Sequence, residues 1–336
     1  MYAALKPARR SGGKTKYAAA ASAALLAILA LLAASPSKYA EACLAGLKTW
    51  LNFVVPSLFP FFVFTAILTR LGFASKAAAK LSPFMRRAFR LPGAAAYAFL
   101  MSALSGYPVG SRVLCDLCEC GVIDKKDATL AGALCSTSGP MFVIGSVGAA
   151  MFKSAAFGAA LLFSHLAAVI LVSLAAARFK KRADDTAVIP PAAANTDGML
   201  HKSVYGGIVS ILNVGGFIAL FYVLSEMLQT IRLLAPLAWL FGKLFSLFGA
   251  EGAGVAFCAG LLEVTQGCAA LAGAAGSAAL PLAAFLITFG GACILAQQLA
   301  YLKKAGAKTG GFLLLKLAQG VAAFFICLGL CALAGI

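Results

Sequence analysis

The sequence carries little charge, and acidic residues are its scarcest charged groups. Of its 336 residues, 12% are charged, only 11 are Asp or Glu, and 62% are hydrophobic. Soluble proteins are on average about 25% charged and about 45–50% apolar. A water-soluble fold could not bury this much apolar surface, so the composition excludes an ordinary soluble domain and favours a membrane protein.

Residues that could form a catalytic or nucleic-acid-binding site are scarce as well. The chain has two His residues, and it contains no phosphate-binding loop motif, no zinc-protease motif and no Ser nucleophile with a plausible His and acid. The net charge of +17 comes from short basic clusters between apolar blocks, as in cytoplasmic loops of membrane proteins. We therefore expect no enzyme, no cofactor and no nucleic-acid partner.

The ten cysteines do not form a disulfide pattern, because seven of them lie in or beside apolar blocks, where free Cys behaves as a small hydrophobe. Cys115, Cys118 and Cys120 lie close together in a polar stretch. A zinc site there would need a fourth ligand, and neither histidine is near in sequence. The sequence therefore predicts solvated loop thiols and no metal site.

Long apolar blocks separated by short polar segments are what the sequence does contain. A helix needs about 20 apolar residues to cross a hydrocarbon layer of about 30 Å. Seven blocks meet this length and are predicted to span the membrane: 17–35, 48–69, 128–150, 155–177, 206–229, 279–300 and 311–334. The first is predicted to be an uncleaved helix, although the small residues 33–35 leave a cleaved signal peptide as the alternative.

Two further blocks, 92–114 and 252–275, are interrupted near their middle by residues that continue a helix poorly. Each block could cross the membrane once or return to the side it entered. With hairpins and the N-terminus inside, 23 of the 28 Lys and Arg lie on the inner side, whereas single crossings leave 18 there. Because basic residues concentrate in cytoplasmic loops, this difference favours two re-entrant hairpins.

Each half of the chain shows the same order of a long helix, a broken hairpin and two spanning helices. The halves are joined by a charged, Pro- and Ala-containing linker. We therefore predict an all-α polytopic membrane protein with about seven spanning helices and two re-entrant hairpins in an inverted-topology repeat. The predicted units are a basic N-terminus with the first helix (1–40), a first repeat (41–177), a cytoplasmic linker (178–202) and a second, inverted repeat (203–336).

The interrupted segments are the best candidates for a binding site. Unwound backbone in a membrane must face protein or a wet cavity, and paired broken helices mark the substrate sites of secondary transporters. Glu263 lies at the centre of the second hairpin and is predicted to couple a proton or cation, or alternatively to bond the backbone N–H groups at the break. The predicted solute- or ion-binding residues are Ser105, Gly106, Tyr107, Pro108, Gly110, Ser136, Thr137, Ser138, Gly139, Glu263, Thr265, Gln266, Gly267, Gly290, Gly291 and Gln297.

Five phrases at these places resemble the sporulation integral membrane protein family, which belongs to the nucleoside-recognition Gate domain group. The phrases begin at Pro56 (PSLFPFF), Ser105 (SGYPVG), Ser136 (STSGPMF), Glu263 (EVTQG) and Phe289 (FGG). The resemblance covers about residues 44–330. It implies a multi-pass membrane protein of spore-forming bacteria with a transporter-like core, and it implies no particular substrate.

These observations together predict a sporulation-associated secondary transporter that moves a small polar solute by alternating access. A nucleoside-like molecule is one candidate solute, with a proton or cation as the coupling ion. The alternative is a non-transporting scaffold or channel component that spore formation requires. We expect a multi-pass protein of the cell membrane with a cytoplasmic N-terminus, in contact with the lipid bilayer and able to form a homo-oligomer.

Overall fold

The computed structural model describes residues 12–180, 198–250, 252–274 and 276–334. Secondary structure in these ranges is helical throughout. Most of the predicted linker 178–202, and the basic segment that opens the chain, lie outside the described residues.

Fifteen α-helices and two π-helical segments make up the described fold. In chain order they are α1 (Gly12–Ala34), α2 (Pro36–Thr49), a first π segment (Trp50–Val54), α3 (Val55–Arg70), α4 (Phe73–Ala88), α5 (Ala95–Ser105), α6 (Val109–Glu119), α7 (Ala128–Leu134), a second π segment (Met141–Met151), α8 (Ala155–Ala177), α9 (Met199–Thr230), α10 (Ala235–Ser246), α11 (Ala253–Leu262), α12 (Val264–Ala272), α13 (Ala279–Phe289), α14 (Gly291–Leu302) and α15 (Thr309–Ala334).

Five helical stretches in the described part of the chain are long and apolar enough to cross a membrane. They are Pro36–Arg70, Ala155–Ala177, Met199–Thr230, Ala279–Leu302 and Thr309–Ala334. The polytopic all-helical prediction is therefore confirmed in its broad form. Two of the seven predicted spans have no stretch of this length: the apolar part of α1, Ala19–Ala34, is shorter, and the block 128–150 is divided into two short elements.

The two interrupted blocks each form a pair of short helices that pack against each other. α5 packs on α6 and α11 packs on α12, so the chain folds back at each interruption. A helix of 9 to 11 residues is about 14–17 Å long, or roughly half of the hydrocarbon thickness. These dimensions fit the predicted re-entrant hairpins, whose position in a bilayer stays a prediction.

The helix that follows each hairpin is discontinuous, which corrects the prediction of unbroken spans at 128–150 and 279–300. In the first, residues 136–139 have no regular secondary structure and separate α7 from the second π segment. In the second, α13 ends before Gly290 and α14 begins at Gly291, and these two glycines have φ angles of 99° and 57°. Side chains other than glycine rarely adopt such positive φ values, so the paired glycines place the break at this point.

Corresponding helices of the two halves pack against each other. The long helix formed by α2, the first π segment and α3 packs along α9, and α8 packs along α15. The second arm of each hairpin contacts the broken helix of the other half: α6 contacts α14, and α12 contacts the second π segment. The two breaks and the two hairpin turns are thereby brought to the centre of the protein.

Candidate functional site: a polar cavity between the broken helices

A small cavity lies where the turns of both hairpins, the two broken helices and the first helix of each half meet. About 50 Å³ of it is accessible to the centre of a water molecule. One water needs roughly 10–15 Å³ on this measure, so the cavity has room for a few waters or an ion. It is lined by Val54, Leu58, Phe62, Ser105, Gly106, Tyr107, Ser138, Gly139, Phe142, Val214, Ile218, Glu263, Thr265, Cys293, Ile294 and Gln297.

Glu263 is the acidic group of this cavity, and 2% of its surface is exposed. Its backbone is extended, with φ −137° and ψ 115°, so helix α11 ends here and α12 begins. One carboxylate oxygen accepts a hydrogen bond of 3.0 Å from the backbone N–H of Thr265, and the other accepts one of 2.7 Å from that of Gln266. Both interpretations of Glu263 are compatible with this geometry, since the carboxylate caps α12 and also lines the cavity.

The first hairpin turn packs directly on the break of the first discontinuous helix. Gly106 has φ 78° and ψ 179°, and a Cβ placed on it would lie 2.7 Å from the backbone nitrogen of Gly139. The Tyr107 hydroxyl lies 3.5 Å from the carbonyl oxygen of Ile287, close to the second break. This turn therefore touches both broken helices.

His165 joins the two breaks through helix α8. Its Nε2 accepts a hydrogen bond of 2.9 Å from the backbone N–H of Ser138, and its Nδ1 lies 3.0 Å from the hydroxyl of Thr288. Because a neutral imidazole has one donor and one acceptor nitrogen, the proton lies on Nδ1 and is donated to Thr288. His165 is therefore an interhelical hydrogen-bond partner.

Half of the predicted site residues line the cavity. These are Ser105, Gly106, Tyr107, Ser138, Gly139, Glu263, Thr265 and Gln297. The other predicted residues lie around them: Pro108, Gly110, Ser136, Thr137, Gln266, Gly267, Gly290 and Gly291.

Several of these neighbouring residues have structural contacts. Gly110 packs against Ser102 and the carbonyl of Cys135, and the Thr137 hydroxyl donates to the Ser102 hydroxyl at 2.8 Å. Gly267 packs against Gly260 between the arms of the second hairpin. Close helix packing, the alternative explanation for small residues, accounts for the two glycines.

Sequence reasoning missed the apolar walls of the cavity and one buried charge. Leu58, Phe62 and Phe142 are ordinary apolar residues in their helices, and no local signal distinguishes them from lipid-facing ones. Lys316 lies near the start of the last apolar block, 311–334. It is fully buried in α15, and its Nζ donates a hydrogen bond of 2.9 Å to the carbonyl of Ser136.

The charged and thiol groups away from the cavity also differ in part from expectation. Cys115 and Cys118 are buried on α6, so the prediction of solvated loop thiols is wrong for them. Among the described residues, no group of three or more His, Cys, Asp or Glu side chains lies close enough to hold a metal ion. Glu226, a second acid in an apolar helix, pairs with Lys38 at 3.1 Å.

Comparison with known proteins supports the resemblance seen in the motifs. No family model matches the chain. It is 27% identical over 328 residues to the Sporulation integral membrane protein YlbJ of Bacillus subtilis (strain 168), an alignment that covers 90% of this chain and 80% of the relative. The chain is a homologue of a sporulation integral membrane protein. The predicted resemblance to sporulation integral membrane proteins is confirmed, and the Gate domain stays a prediction.

Among solved structures, a CNTnw variant in an outward-facing state is similar to this fold. The TM-score is 0.47 and the sequence identity is 13%, and the match covers 84% of this chain and 76% of that chain. The five long apolar helices and the similarity to an integral membrane protein of Bacillus subtilis together indicate a multi-pass membrane protein.

Proposed function

We propose that this protein is a secondary transporter for a small polar solute, which binds between the two hairpin turns and the two broken helices. The observation that carries the proposal is the cavity between the hairpin turns and the broken helices, which is lined by apolar side chains and a few polar groups. Four residues with a hydroxyl group, one carboxylate and one amide line it: Ser105, Tyr107, Ser138, Thr265, Glu263 and Gln297. Sites for polar small molecules need such convergent groups on an otherwise apolar wall.

The cavity is too small for a nucleoside-like solute in the conformation described. Sites for drug-sized ligands are usually about 300–1,000 Å³, far larger than this cavity. A nucleoside-like solute would therefore require the hairpin turns to move apart. Alternating access supplies such a movement, and the packing of Gly106 on Gly139 marks the contact that would separate.

Glu263 is the proposed coupling group. An ionisable side chain inside a membrane is costly and usually belongs to a pathway or a proton relay. Proton or cation binding at the carboxylate would compete with the bonds that cap α12, and it would thereby change the stability of the second hairpin turn. In this way occupancy of the carboxylate and the position of the turn are linked.

The binding claim can be tested by thermal unfolding of the purified protein with nucleosides, amino acids and monovalent cations, each tested separately. A ligand that binds only the folded state stabilises it by about 2.7 kcal/mol at 100 times its Kd. We expect one solute class to raise the unfolding temperature of the wild type and of Glu226→Gln, whose acid lies outside the cavity. The same solute should have a smaller effect on Glu263→Gln and Gln297→Leu.

Transport itself requires a second assay, with the responding solute followed into proteoliposomes across a pH or cation gradient. Uptake that survives unchanged in Glu263→Gln would remove the coupling role. Binding without any uptake would favour the other candidate function, a non-transporting component of spore formation. The extensive bonding of Glu263 and His165 within the protein is the observation that favours that second candidate.

The connection with sporulation has a test of its own. We expect expression of this chain to raise the spore count of a Bacillus subtilis strain that lacks the 27% identical relative. Glu263→Gln should restore fewer spores than Glu226→Gln at equal protein level in the membrane.

A further inference from the structure

Lys316 is a buried cation for which the proposed transport mechanism has no role. It lies in α15 with no exposed surface. It lies seven positions after Thr309, the first residue of the helix, which places it about 10 Å along the axis. A lysine at the end of a span can extend its ammonium group to the interface, but this one turns inward to the Ser136 carbonyl.

No acidic side chain neutralises Lys316 within the described residues. The helices packed against α15 are α7, α8 and α13, and none of them contains Asp or Glu. The acid that flanks α7, Asp127, pairs with Lys180. The titratable group within electrostatic reach of Lys316 is His165, whose two nitrogens are bonded to Ser138 and Thr288.

One backbone oxygen of the first helix break bonds the ammonium group instead. Lys316 Nζ donates to the Ser136 carbonyl at 2.9 Å, and an ammonium group has two further N–H donors. The side-chain hydroxyl of Ser136 is also buried and has no hydrogen-bond partner in the described structure. The break thus offers a carbonyl and a hydroxyl oxygen with no anionic group, and oxygens of this kind suit a monovalent cation.

We infer that the Lys316 ammonium group is a built-in cation that occupies a monovalent-cation site at the first helix break. The covalently attached charge bonds the Ser136 carbonyl that the unwound backbone exposes inside the membrane, so no free ion is needed to hold the break together. This inference is independent of the proposed transport function, because it holds equally for a protein that moves no solute.

The inference can be tested with Na⁺ and K⁺ as probes and with no solute present. The unfolding temperature of the purified protein would be compared in NaCl, KCl and choline chloride at equal ionic strength. For the wild type we expect the same value in all three salts. Lys316→Met should unfold several degrees lower in choline chloride, and it should regain part of this loss in NaCl or KCl.

Two further variants make the result specific. Lys308→Met removes the same charge from an exposed position just before α15, and it should behave as the wild type does in all three salts. Lys316→Gln keeps a hydrogen-bond donor but removes the charge, and it should show the same gain from Na⁺ or K⁺ as Lys316→Met. Recovery of folded Lys316→Met only when Na⁺ or K⁺ is present during purification would support the inference in the same way.

Three outcomes would overturn it. One is a wild type that Na⁺ or K⁺ stabilises as much as Lys316→Met, since its site would then be open to free ions. Another is a folded Lys316→Met or Lys316→Gln protein with equal unfolding temperatures in all three salts. The third is failure to recover either variant in any salt, because free cations would then not replace the ammonium group.

Discussion

Replacing Gly106 by alanine tests whether the first hairpin turn and the first helix break form one rigid contact. With φ 78° and ψ 179°, Gly106 occupies a region that is essentially restricted to glycine. A residue with a Cβ held there costs about 1–3 kcal/mol from backbone conformation alone. The new Cβ would also lie 2.7 Å from the backbone nitrogen of Gly139, which cannot rotate away as a flexible side chain would.

We therefore expect Gly106→Ala to destabilise the protein by at least about 1–3 kcal/mol and to separate the turn from the break. Gly216→Ala is the matched control, because a Cβ at Gly216 meets nothing within 4 Å on the exposed face of α9. Alanine within a helix is favoured over glycine by about 0.5–1 kcal/mol, so this control should be as stable as the wild type or slightly more stable.

Thermal or denaturant unfolding of both variants would be monitored by circular dichroism in the same detergent. The rate at which a thiol reagent labels Cys293, in the cavity, is a second readout. Gly106→Ala should unfold at a lower temperature or denaturant concentration than the control, and its Cys293 should be labelled at a higher rate, because an opened turn exposes the cavity. Equal stability and equal labelling of the two variants would refute the packing described for this turn.

Three further predictions concern the contacts around the cavity. His165→Phe should destabilise the protein by about 1–3 kcal/mol, since it leaves two buried polar partners unpaired, while His201→Phe on an exposed helix face should have little effect in the same unfolding assay. Gly215→Ala should weaken the packing of the two long helices, because its Cβ would lie 2.6 Å from the Trp50 ring; unfolding at the wild-type temperature would contradict this. Glu263→Ala removes both capping bonds of α12 and should lower stability by about 0.5–2 kcal/mol, measured by denaturant unfolding; an unchanged midpoint would mean that the cap carries no net stability.

The interruptions within the two hairpin blocks follow from local properties and were accessible to sequence reasoning. Gly106 and Pro108, for example, continue a helix poorly. What local preference did not show is that the helices after the hairpins are themselves broken, because Gly139 and Gly290 were read as parts of continuous apolar blocks.

The side chains that meet in the cavity were only partly predictable. Glu263 was recognised because an acid in an apolar block is rare, and polar residues near the breaks were recognised for the same reason. Leu58 and Phe142 were missed because an apolar residue has the same local pattern whether it faces lipid, a neighbouring helix or a cavity. Lys316 was missed because a lysine near the end of an apolar block reads as a loop residue until its neighbours are known.

The sequence by itself determined that this protein resides in a membrane, that it is built from helices, and where several of those helices are interrupted. These properties depend on apolar length and on the backbone preferences of Gly and Pro, which act within a few residues. Only the tertiary structure decided that His165 bonds Thr288, 123 residues away at the second break, and that Lys316 bonds a carbonyl 180 residues away. Such contacts depend on which distant helices pack together, and buried polar groups then bond whatever partners that packing brings within reach.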